Sequence, residues 1–308
     1  LCISRPKKRL KWGIEIPFDD EYVTYVWFDA LLNYITAIKW DNDEDFFNKW
    51  WPADYHLMGK DIITTHAVYW TTMLMAAKLP LPKHILAHGW WLMDNTKMSK
   101  SIGNIVDPIE LIDYYGEDPI RFFLMREMTL GQDSSFSFEL FKRRYNDDLA
   151  NDLGNLLNRI TILIGKFCNH SVPIIKDTDE VDNSLISNIK ELPKKALDEI
   201  KELKIHASIE HVMTLVRSIN KYLEVKEPWK SLKEDSKNQN GLNALSVSCE
   251  AIALSAKLLY PVMPKKCEEI FSILGVKKES INNLDFETIS GNSINPHKAL
   301  FPRIENDD

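Results

Sequence analysis

The chain has 308 residues and a formal net charge of −7, with 38 Lys and Arg against 45 Asp and Glu. That length suits about two domains, and a content of 44% hydrophobic and 27% charged residues argues against intrinsic disorder. The acidic balance excludes a uniformly basic nucleic-acid binder, but it leaves room for a local basic or aromatic contact surface.

The sequence shows no apolar run that approaches the 18 residues of a membrane-spanning helix, so no membrane association is expected. Its four cysteines form no CxxC pair, which favours a reducing compartment over a disulfide framework or a zinc site. Because the sequence begins at Leu1 and shows no apolar signal core, we expect a fragment of a longer protein.

The front of the chain alternates short apolar runs with helical patterns. The runs are 24–28 (TYVWF), 55–59 (YHLMG) and 84–93 (HILAHGWWLM), and their alternation with helices predicts βα units around a parallel sheet. Two helices are predicted from apolar side chains at helical spacing, one around 27–34 and one around 62–73.

The rest of the chain is predicted to be almost entirely helical. A short helical stretch at 107–128 comes first, and from about Phe138 onward the pattern predicts a helix bundle of about 150 residues. The predicted helices of the bundle run through 149–163, 205–223 and 242–260, with polar loops at 173–184 and 233–241.

The strongest chemical signal is the segment 88–104, HGWWLMDNTKMSKSIGN. Within it, Lys97 and Lys100 flank Ser99, and Gly103 follows closely. Two ammonium groups on a polar loop can follow a polyphosphate as charge moves during group transfer. The two lysines and two serines alone would equally suit a solvated turn, whereas the complete KMSKS motif favours phosphate handling.

KMSKS at the end of a Rossmann-type domain resembles the second signature of the class I aminoacyl-tRNA synthetases. The resemblance implies that Lys100 stabilises the pyrophosphate leaving group while ATP activates an amino acid, and Lys97 is the second candidate catalytic residue. Attack of a carboxylate on the α-phosphate of ATP needs no protein nucleophile, so positioning and electrostatics can supply the catalysis.

The two front helices bring together a mostly aromatic wall with one polar tip, formed by Trp27, Tyr34, Ile62 and His66. A thioether side chain would suit this wall because sulfur gains from contacts with aromatic rings. Core packing explains the same aromatic face without a ligand, and spacing alone leaves both interpretations open.

The segments 25–34 (YVWFDALLNY) and 56–70 (HLMGKDIITTHAVYW) resemble the blocks that shape the methionine site of the methionyl-tRNA synthetase family. The resemblance implies a methionine pocket lined by Trp27, Ala30, Leu31, Tyr34, Ile62 and His66. It also implies an ATP site, with Gly59 and Asp61 at the ribose, His88 and Gly89 near the nucleotide, the Trp91 backbone at the adenine, and Met98, Ser99 and Lys100 in the KMSKS loop. ATP would enter as its Mg²⁺ complex, no metal ligand is predicted in this chain, and any zinc would belong to a missing N-terminal part.

The helical half continues the resemblance. The segment 146–159 is similar to the first anticodon-domain helix of the family, and EPW at 227–229 is similar to its anticodon contact. The implied tRNA contacts are Asn155, Arg159, Pro228 and Trp229. Trp229 offers a plane on which an unpaired base can stack. A surface charge for Arg159 and core packing for Trp229 stay open as alternatives.

The resemblance spans almost the whole chain and implies three parts. Residues 1–106 would be the C-terminal half of a Rossmann-type catalytic domain ending in the KMSKS loop, 107–140 a connecting segment, and 141–308 an α-helical anticodon-binding domain with a C-terminal return segment. The implied activity is that of a methionine–tRNA ligase, with L-methionine, ATP and tRNA(Met) as partners.

The family's first signature, an HIGH-like histidine motif, is missing from the sequence. We therefore expect this chain alone to be inactive or very weak as a catalyst. The alternatives are a non-enzymatic tRNA-binding relic, half of a split synthetase, and another class I synthetase. A cytoplasmic monomer is favoured, with the mitochondrial matrix as the alternative location.

Overall fold

The computed structural model describes residues 3–99, 101–277, 282–286 and 289–305, so the KMSKS residue Lys100 lies outside the described residues. The chain divides into two compact units, which we describe separately. Unit 1 comprises residues 1–90 and 130–133, and unit 2 comprises residues 91–129 and 134–308.

Five strands of unit 1 form two small sheets. They are β1 (Ser4–Pro6), β2 (Glu15–Ile16), β3 (Asp19–Thr24), β4 (Tyr55–Gly59) and β5 (His84–His88). The first three form an antiparallel sheet in the order β1-β3-β2. Strands β4 and β5 are parallel, and their carboxyl ends meet where Gly59 pairs with His88. Ligands of open α/β sheets commonly bind at such carboxyl ends.

The helices of unit 1 are short and surround one apolar core. They are α1 (Val26–Ala30), α2 (Asn33–Thr36), α3 (Glu44–Trp50) and α4 (Thr71–Ala76), with a 3₁₀ turn at Lys60–Ile62 and a π-helical segment at Thr65–Trp70. The core consists of Leu31, Ile35, Phe47, Trp51, Trp70 and Leu74. The helical stretch between β4 and β5 confirms the predicted βα unit.

Two predicted strands of the front half differ from the structure. The run 24–28 is not a strand, because β3 ends at Thr24 and α1 begins at Val26. A short continuous apolar run suits a buried strand and a helical turn equally, so sequence alone does not separate them. The run 84–93 contains two strands rather than one, because pairing is interrupted at Gly89 and Trp90.

Unit 2 begins with a three-stranded sheet. Its strands are β6 (Trp91–Met93), β7 (Thr96–Lys97) and β8 (Ser134–Phe136), in the order β7-β6-β8. Strand β6 is antiparallel to β7 and parallel to β8. Asp94 and Asn95 join β6 to β7 with φ angles of 47° and 63°. Positive φ at both central residues is the geometry of the tight hairpin turns that favour Asp and Asn.

Most of the rest of unit 2 is helical, as predicted. The helices are α5 (Pro108–Tyr115), α6 (Glu117–Glu127), α7 (Phe138–Arg144), α8 (Asn155–Phe167), α9 (Glu180–Lys201), α10 (Ile205–Lys226), α11 (Pro228–Glu234), α12 (Gln239–Leu259) and α13 (Pro264–Ile273). A π-helical segment, Tyr145–Gly154, joins α7 to α8. The predicted apolar stripe of 149–163 lies in the core of this unit.

Helix α9 is absent from the sequence-based prediction, and the loop predicted at 173–184 already gives way to this helix at Glu180. Its buried face consists of Leu185, Ile189, Leu192 and Ala196, at helical spacing. Pro193 lies inside the helix and obscures this pattern, because proline normally ends one.

Helix α12 has the length and apolar composition of a membrane-spanning helix, with a mean hydropathy of 1.3, contrary to the expectation that no such run exists. However, 89% of the apolar window is buried inside the structure. Helices α8, α9, α10, α11 and α13 all contact it. It is therefore a central core helix, mostly apolar, which also buries polar side chains such as Asn243, Glu250 and Lys257.

Candidate functional site

A cluster of aromatic rings in unit 1 contains three of the residues predicted for a methionine pocket. The Tyr34 hydroxyl lies 3.0 Å from His66 Nε2, and the centroids of the Trp27 and His66 rings are 5.9 Å apart. His66 Nδ1 lies 3.0 Å from the carbonyl oxygen of Ile62. Because a carbonyl only accepts, Nδ1 carries the proton there, and in the neutral ring Nε2 then accepts from the Tyr34 hydroxyl.

The other residues predicted for this pocket occupy different environments. Leu31 is 1% exposed and belongs to the core of unit 1, whereas Ala30 is exposed. Ile62 is half-buried and contacts the cluster through its backbone carbonyl. An apolar cavity of about 390 Å³ lies in the same unit, and Trp27 is the predicted residue among its lining side chains. The methionine-binding role of all six residues stays a prediction.

His56 is a member of the aromatic cluster that sequence reasoning did not include. It is 5% exposed, its ring centroid lies 4.3 Å from that of Tyr34, and Trp70 Nε1 donates to its Nε2 at 3.0 Å. Burial lowers the pKa of His56, and the neighbouring His66 lowers it further. Its position two residues from Met58 on the buried side of β4 is the signal that could have identified it.

The carboxyl ends of β4 and β5 bring together two glycines and two side chains predicted for the nucleotide. A Cβ added at Gly59 would lie 2.7 Å from Oδ1 of Asp61, so the missing side chain leaves room for that carboxylate. His88 pairs with Gly59 across the sheet, and its Nδ1 lies 2.7 Å from the carbonyl oxygen of Gly89. Asp61 is exposed, so its carboxylate is accessible to a ligand.

Gly89 lies against the backbone of another segment of unit 1. A Cβ at this position would lie 1.9 Å from the carbonyl oxygen of Gln132, which no side chain could tolerate without a backbone shift. Asp133 holds the two segments close together. It accepts a hydrogen bond from the Trp90 amide at 2.8 Å and forms an ion pair with Lys60 at 2.6 Å. Its hydrogen bond with Lys60 is the main reason why the pKa of Asp133 is lowered.

Unit 2 contains the remaining residues predicted for ATP. Trp91 lies in β6 opposite Ser134, and its half-buried ring packs 5.9 Å from that of Phe123. Met98 is half-buried against the core of unit 2, and Lys97 is exposed in β7.

The loop that follows β7 is closed by the side chain of Asn104. The Ser99 amide donates to Asn104 Oδ1 at 2.8 Å, and Asn104 Nδ2 donates to the carbonyl oxygen of Lys97 at 3.3 Å. The hydroxyls of Ser99 and Ser101 are 2.7 Å apart, and Gly103 has a φ of +74°. Asn104 follows the KMSKS motif in the sequence, and no role was predicted for it. Lys100 lies outside the described residues.

Helix α8 carries two of the residues predicted to contact an anticodon. Asn155 is exposed at its first turn, and Arg159 lies one turn later on the same face, as the i, i+4 spacing predicts. Arg159 donates to Asn220 Oδ1 at 2.9 Å, while its buried Nε has no hydrogen-bond partner within the described part of the chain. Burial lowers the pKa of Arg159.

Pro228 and Trp229 form the start of α11. Pro228 is buried at the first position of the helix, where its missing N–H costs no hydrogen bond. Trp229 is half-buried and packs against the core of unit 2. The Trp229 ring therefore packs against the core and is also partly accessible. Core packing and base stacking, the two interpretations left open by the sequence, are compatible.

Within residues 3–99, 101–277, 282–286 and 289–305, the structure shows no group of three or more His, Cys, Asp or Glu side chains that could hold a metal ion.

Two family models match the chain. The model for class I tRNA synthetases (M) matches residues 1–161, and the model for the anticodon binding domain of methionyl tRNA ligase matches residues 172–308.

The chain is similar over its length to curated methionine–tRNA ligases of bacteria. That of Clostridium acetobutylicum is 43% identical, with 100% of this chain and 48% of the relative covered. That of Bacillus subtilis is 39% identical, with 99% of this chain and 46% of the relative covered. The chain thus spans about half the length of these relatives.

Solved structures give the same result. A crystal structure of Mycobacterium tuberculosis methionyl-tRNA synthetase bound by methionyl-adenylate matches with a TM-score of 0.90 and 36% identity, covering 98% of this chain and 60% of that one. The apo form of the same enzyme matches with a TM-score of 0.88 and 34% identity, covering 99% and 60%.

Proposed function

Because the chain belongs to the methionyl family of the class I tRNA synthetases, we propose that it is part of an enzyme that activates L-methionine with ATP and transfers it to tRNA(Met) for translation. The methionine carboxylate attacks the α-phosphate of ATP, and pyrophosphate leaves. A hydroxyl of the terminal adenosine of tRNA then attacks the carbonyl carbon of the adenylate, and AMP leaves. The observation that carries this proposal is that both family models match one chain, without overlap.

The aromatic cluster of unit 1 supports methionine as the amino acid. Trp27 and Tyr34 offer ring edges and faces to a thioether, and sulfur gains from such contacts without needing a hydrogen bond. His66 is fixed by Tyr34 and by the Ile62 carbonyl, which defines the shape of the polar tip. In this proposal Ala30 and Leu31 complete the pocket beside these residues.

The residues proposed to bind ATP belong to two segments, one at the carboxyl end of the parallel strands of unit 1 and the other running from Trp91 through the KMSKS loop in unit 2. Asp61 accepts hydrogen bonds from the ribose, Gly59 leaves room for it, and His88 and Gly89 lie near the nucleotide. The Trp91 backbone contacts the adenine. In the loop, Lys97 and Lys100 supply positive charge as pyrophosphate leaves, with Met98 and Ser99 beside them, and ATP enters as its Mg²⁺ complex.

The tRNA contacts of the proposal lie on α8 and α11. Asn155 and Arg159 lie on one face of α8 and carry amide and guanidinium donors. Trp229, held by Pro228, provides a stacking surface for an anticodon base. We assign residues 1–106 to the catalytic domain, 107–140 to a connecting segment and 141–308 to anticodon binding. We place the protein in the cytoplasm as a monomer, with the mitochondrial matrix as the alternative.

The experiment that tests this function uses the protein extended to the full length of its relatives. We expect ATP–pyrophosphate exchange that depends on methionine and not on leucine, isoleucine, valine or cysteine. Exchange stimulated equally by one of those amino acids would identify another class I synthetase. No exchange with any of them, together with retained tRNA binding, would favour a tRNA-binding relic.

A single substitution separates the two steps of the reaction. Trp229→Ala should leave methionine-dependent exchange unchanged and weaken the charging of tRNA(Met), because the base on which Trp229 would stack belongs to tRNA alone. Equal losses in both steps would make Trp229 a purely structural residue.

A further inference from the structure

Helix α10 ends in a cluster of charged groups in which Lys226 and Asp182 are buried and Asp179 is 44% exposed. The ammonium group of Lys226 lies 2.7 Å from Asp179 and 2.7 Å from Asp182, and the Tyr222 hydroxyl donates to Asp182 at 2.6 Å. The Lys226 side chain is 6% exposed and that of Asp182 is 0% exposed. We call these four residues the Lys226 anchor. It joins the last turn of α10 to the start of α9.

The Lys226 anchor contains hydrogen bonds and ion pairs of defined geometry, which apolar packing alone would not require. Asp179 is the N-cap of α9, where it accepts from the Asp182 amide at 2.9 Å, so one carboxylate serves both the cap and Lys226. Lys226 holds the pKa of Asp179 below its ordinary value, and burial raises that of Tyr222. Burying a charge costs free energy unless the charge is fully paired. The Lys226 anchor therefore favours one geometry over others.

The anchor directly precedes the segment proposed to read the anticodon. Glu227 follows Lys226 in the left-handed region, with φ 42° and ψ 51°, and its amide donates to the Leu223 carbonyl at 3.0 Å. Its own carbonyl accepts from the Lys230 amide at 2.8 Å and so starts α11. A single strained residue thus sets the angle at which Pro228 and Trp229 leave α10.

The back of α11 is held by close packing. A Cβ at Gly241 would lie 2.6 Å from Ser231 Oγ and 2.7 Å from Leu232 Cγ. Helix α11 therefore packs directly on α12, and Trp229, in the first turn of α11, is oriented by this contact together with the turn at Glu227.

We propose that Lys226 is a positioning residue for tRNA recognition, which fixes the end of α10, and through it the Trp229 ring, against Asp179 and Asp182. This inference rests on the proposed anticodon contact of Trp229. Lys226 itself is too buried to reach a phosphate, so its contribution to tRNA binding is indirect.

The test is a double-mutant cycle on tRNA binding by this chain, with a tRNA(Met) transcript as the probe and an anticodon-substituted transcript for comparison. Trp229→Ala should weaken tRNA(Met) binding about tenfold. Lys226→Met should weaken it about fivefold in the wild-type background and less than twofold in the Trp229→Ala background, because coupled residues are not additive. The salt dependence of binding should keep its slope, since no phosphate contact is lost.

Asp179→Asn is the second variant, because asparagine preserves the N-cap while it removes the charge that pairs with Lys226. It should repeat the pattern of Lys226→Met even if the latter folds poorly. Lys201→Met, which breaks an exposed pair with Asp198 at the other end of α9, is the matched control and should bind as the wild type does.

Three results would contradict the proposal in distinguishable ways. Equal losses for Lys226→Met in both backgrounds would mean that the anchor supports the fold generally. A silent Lys226→Met beside a weakened Trp229→Ala would remove the positioning role and leave the anticodon contact intact. Wild-type binding by Trp229→Ala would overturn the anticodon contact itself, and the positioning role with it.

Discussion

His56 lies among aromatic rings and accepts one hydrogen bond that depends on its being neutral. Trp70 donates to its Nε2, a bond that a protonated imidazole cannot accept. The rings of Tyr34, Trp51 and His66 surround it, and burial is the main reason why its pKa is lowered. Protonation of His56 would therefore unpair the Trp70 indole and bring a positive charge into an apolar cluster.

The stability of the protein should consequently fall in mildly acidic solution. The unfolded chain binds a proton at the ordinary histidine pKa of 6.5, and the folded chain binds it only at a lower pH. Stability is thus highest above about pH 6.5 and is lost as the pH falls through the lowered pKa of the folded state. Urea unfolding at several pH values should show this loss, and His56→Gln should reduce it.

Met58→Leu is the control for this measurement, because it changes the same buried face of β4 and leaves both histidines in place. It should keep the pH dependence of the wild type. A pH dependence that is the same in His56→Gln and the wild type would show that other groups are responsible.

Gly89 should not tolerate even a methyl group. The obstacle is the backbone of Gln132, which cannot rotate away as a side chain can. Gly89→Ala should therefore lower the free energy of unfolding by about 1–3 kcal/mol, as overpacking does. Chemical denaturation measures this loss. Gly103→Ala is the comparison, because Gly103 has a left-handed φ but no described atom within 4 Å of an added Cβ. A loss at Gly89 smaller than at Gly103 would refute the steric argument.

Helix α9 contains a proline that interrupts both its apolar sequence pattern and its backbone hydrogen bonds. Pro193 lies between the buried Leu192 and Ala196 and removes one backbone donor from the helix interior. The capping box of Asp179 and Asp182 and the apolar face formed with α10 and α12 offset this loss.

Pro193→Ala should accordingly stabilise the protein. Alanine restores the missing hydrogen bond and removes the clash with the preceding turn, which is expected to raise the free energy of unfolding by about 1–3 kcal/mol. The midpoint of chemical denaturation reports the change. Lys194→Ala, an exposed neighbour, should have little effect, and a destabilised Pro193→Ala would indicate that the helix is bent to fit its partners.

The sequence predicted those elements whose signal is local. The βα unit of β4 and β5 and the helices α8, α10 and α12 follow from apolar spacing, and the KMSKS motif identified its loop. The sequence could not predict contacts between distant residues. The Asn104 side chain closes the loop in three dimensions, and Lys226 meets carboxylates 44 and 47 residues away. A periodic pattern of apolar residues does not indicate which distant residues will be in contact.

The arrangement of the candidate site residues was predictable only in part, and their roles stay predictions. Spacing brought Trp27, Tyr34 and His66 together correctly, because they lie on helical faces that pack in one core. His56 was not predicted, because the local signal of its strand comes from the apolar residues and a histidine does not contribute to it. Leu31 is 1% exposed, a degree of burial that spacing does not reveal, and its methionine-binding role stays a prediction.

The chain as a whole should bind tRNA(Met) without activating methionine. Its sequence contains no HIGH motif, and the nearest candidate, HLMG at 56–59, forms part of strand β4. Filter binding with a tRNA(Met) transcript and ATP–pyrophosphate exchange measure the two activities. The methionine–tRNA ligase of Clostridium acetobutylicum is the positive control for both. Exchange by this chain alone would contradict the expectation.

The central position of α12 has a consequence for how the chain is made. Of the helices that contact it, α8, α9, α10 and α11 precede it and α13 follows, so four of its five partners have left the ribosome before its apolar side chains emerge. This apolar helix therefore meets most of its covering surface as soon as it is made. A chain that stopped at residue 238 would instead present the empty groove of those helices to water, and we expect it to require chaperones or to precipitate.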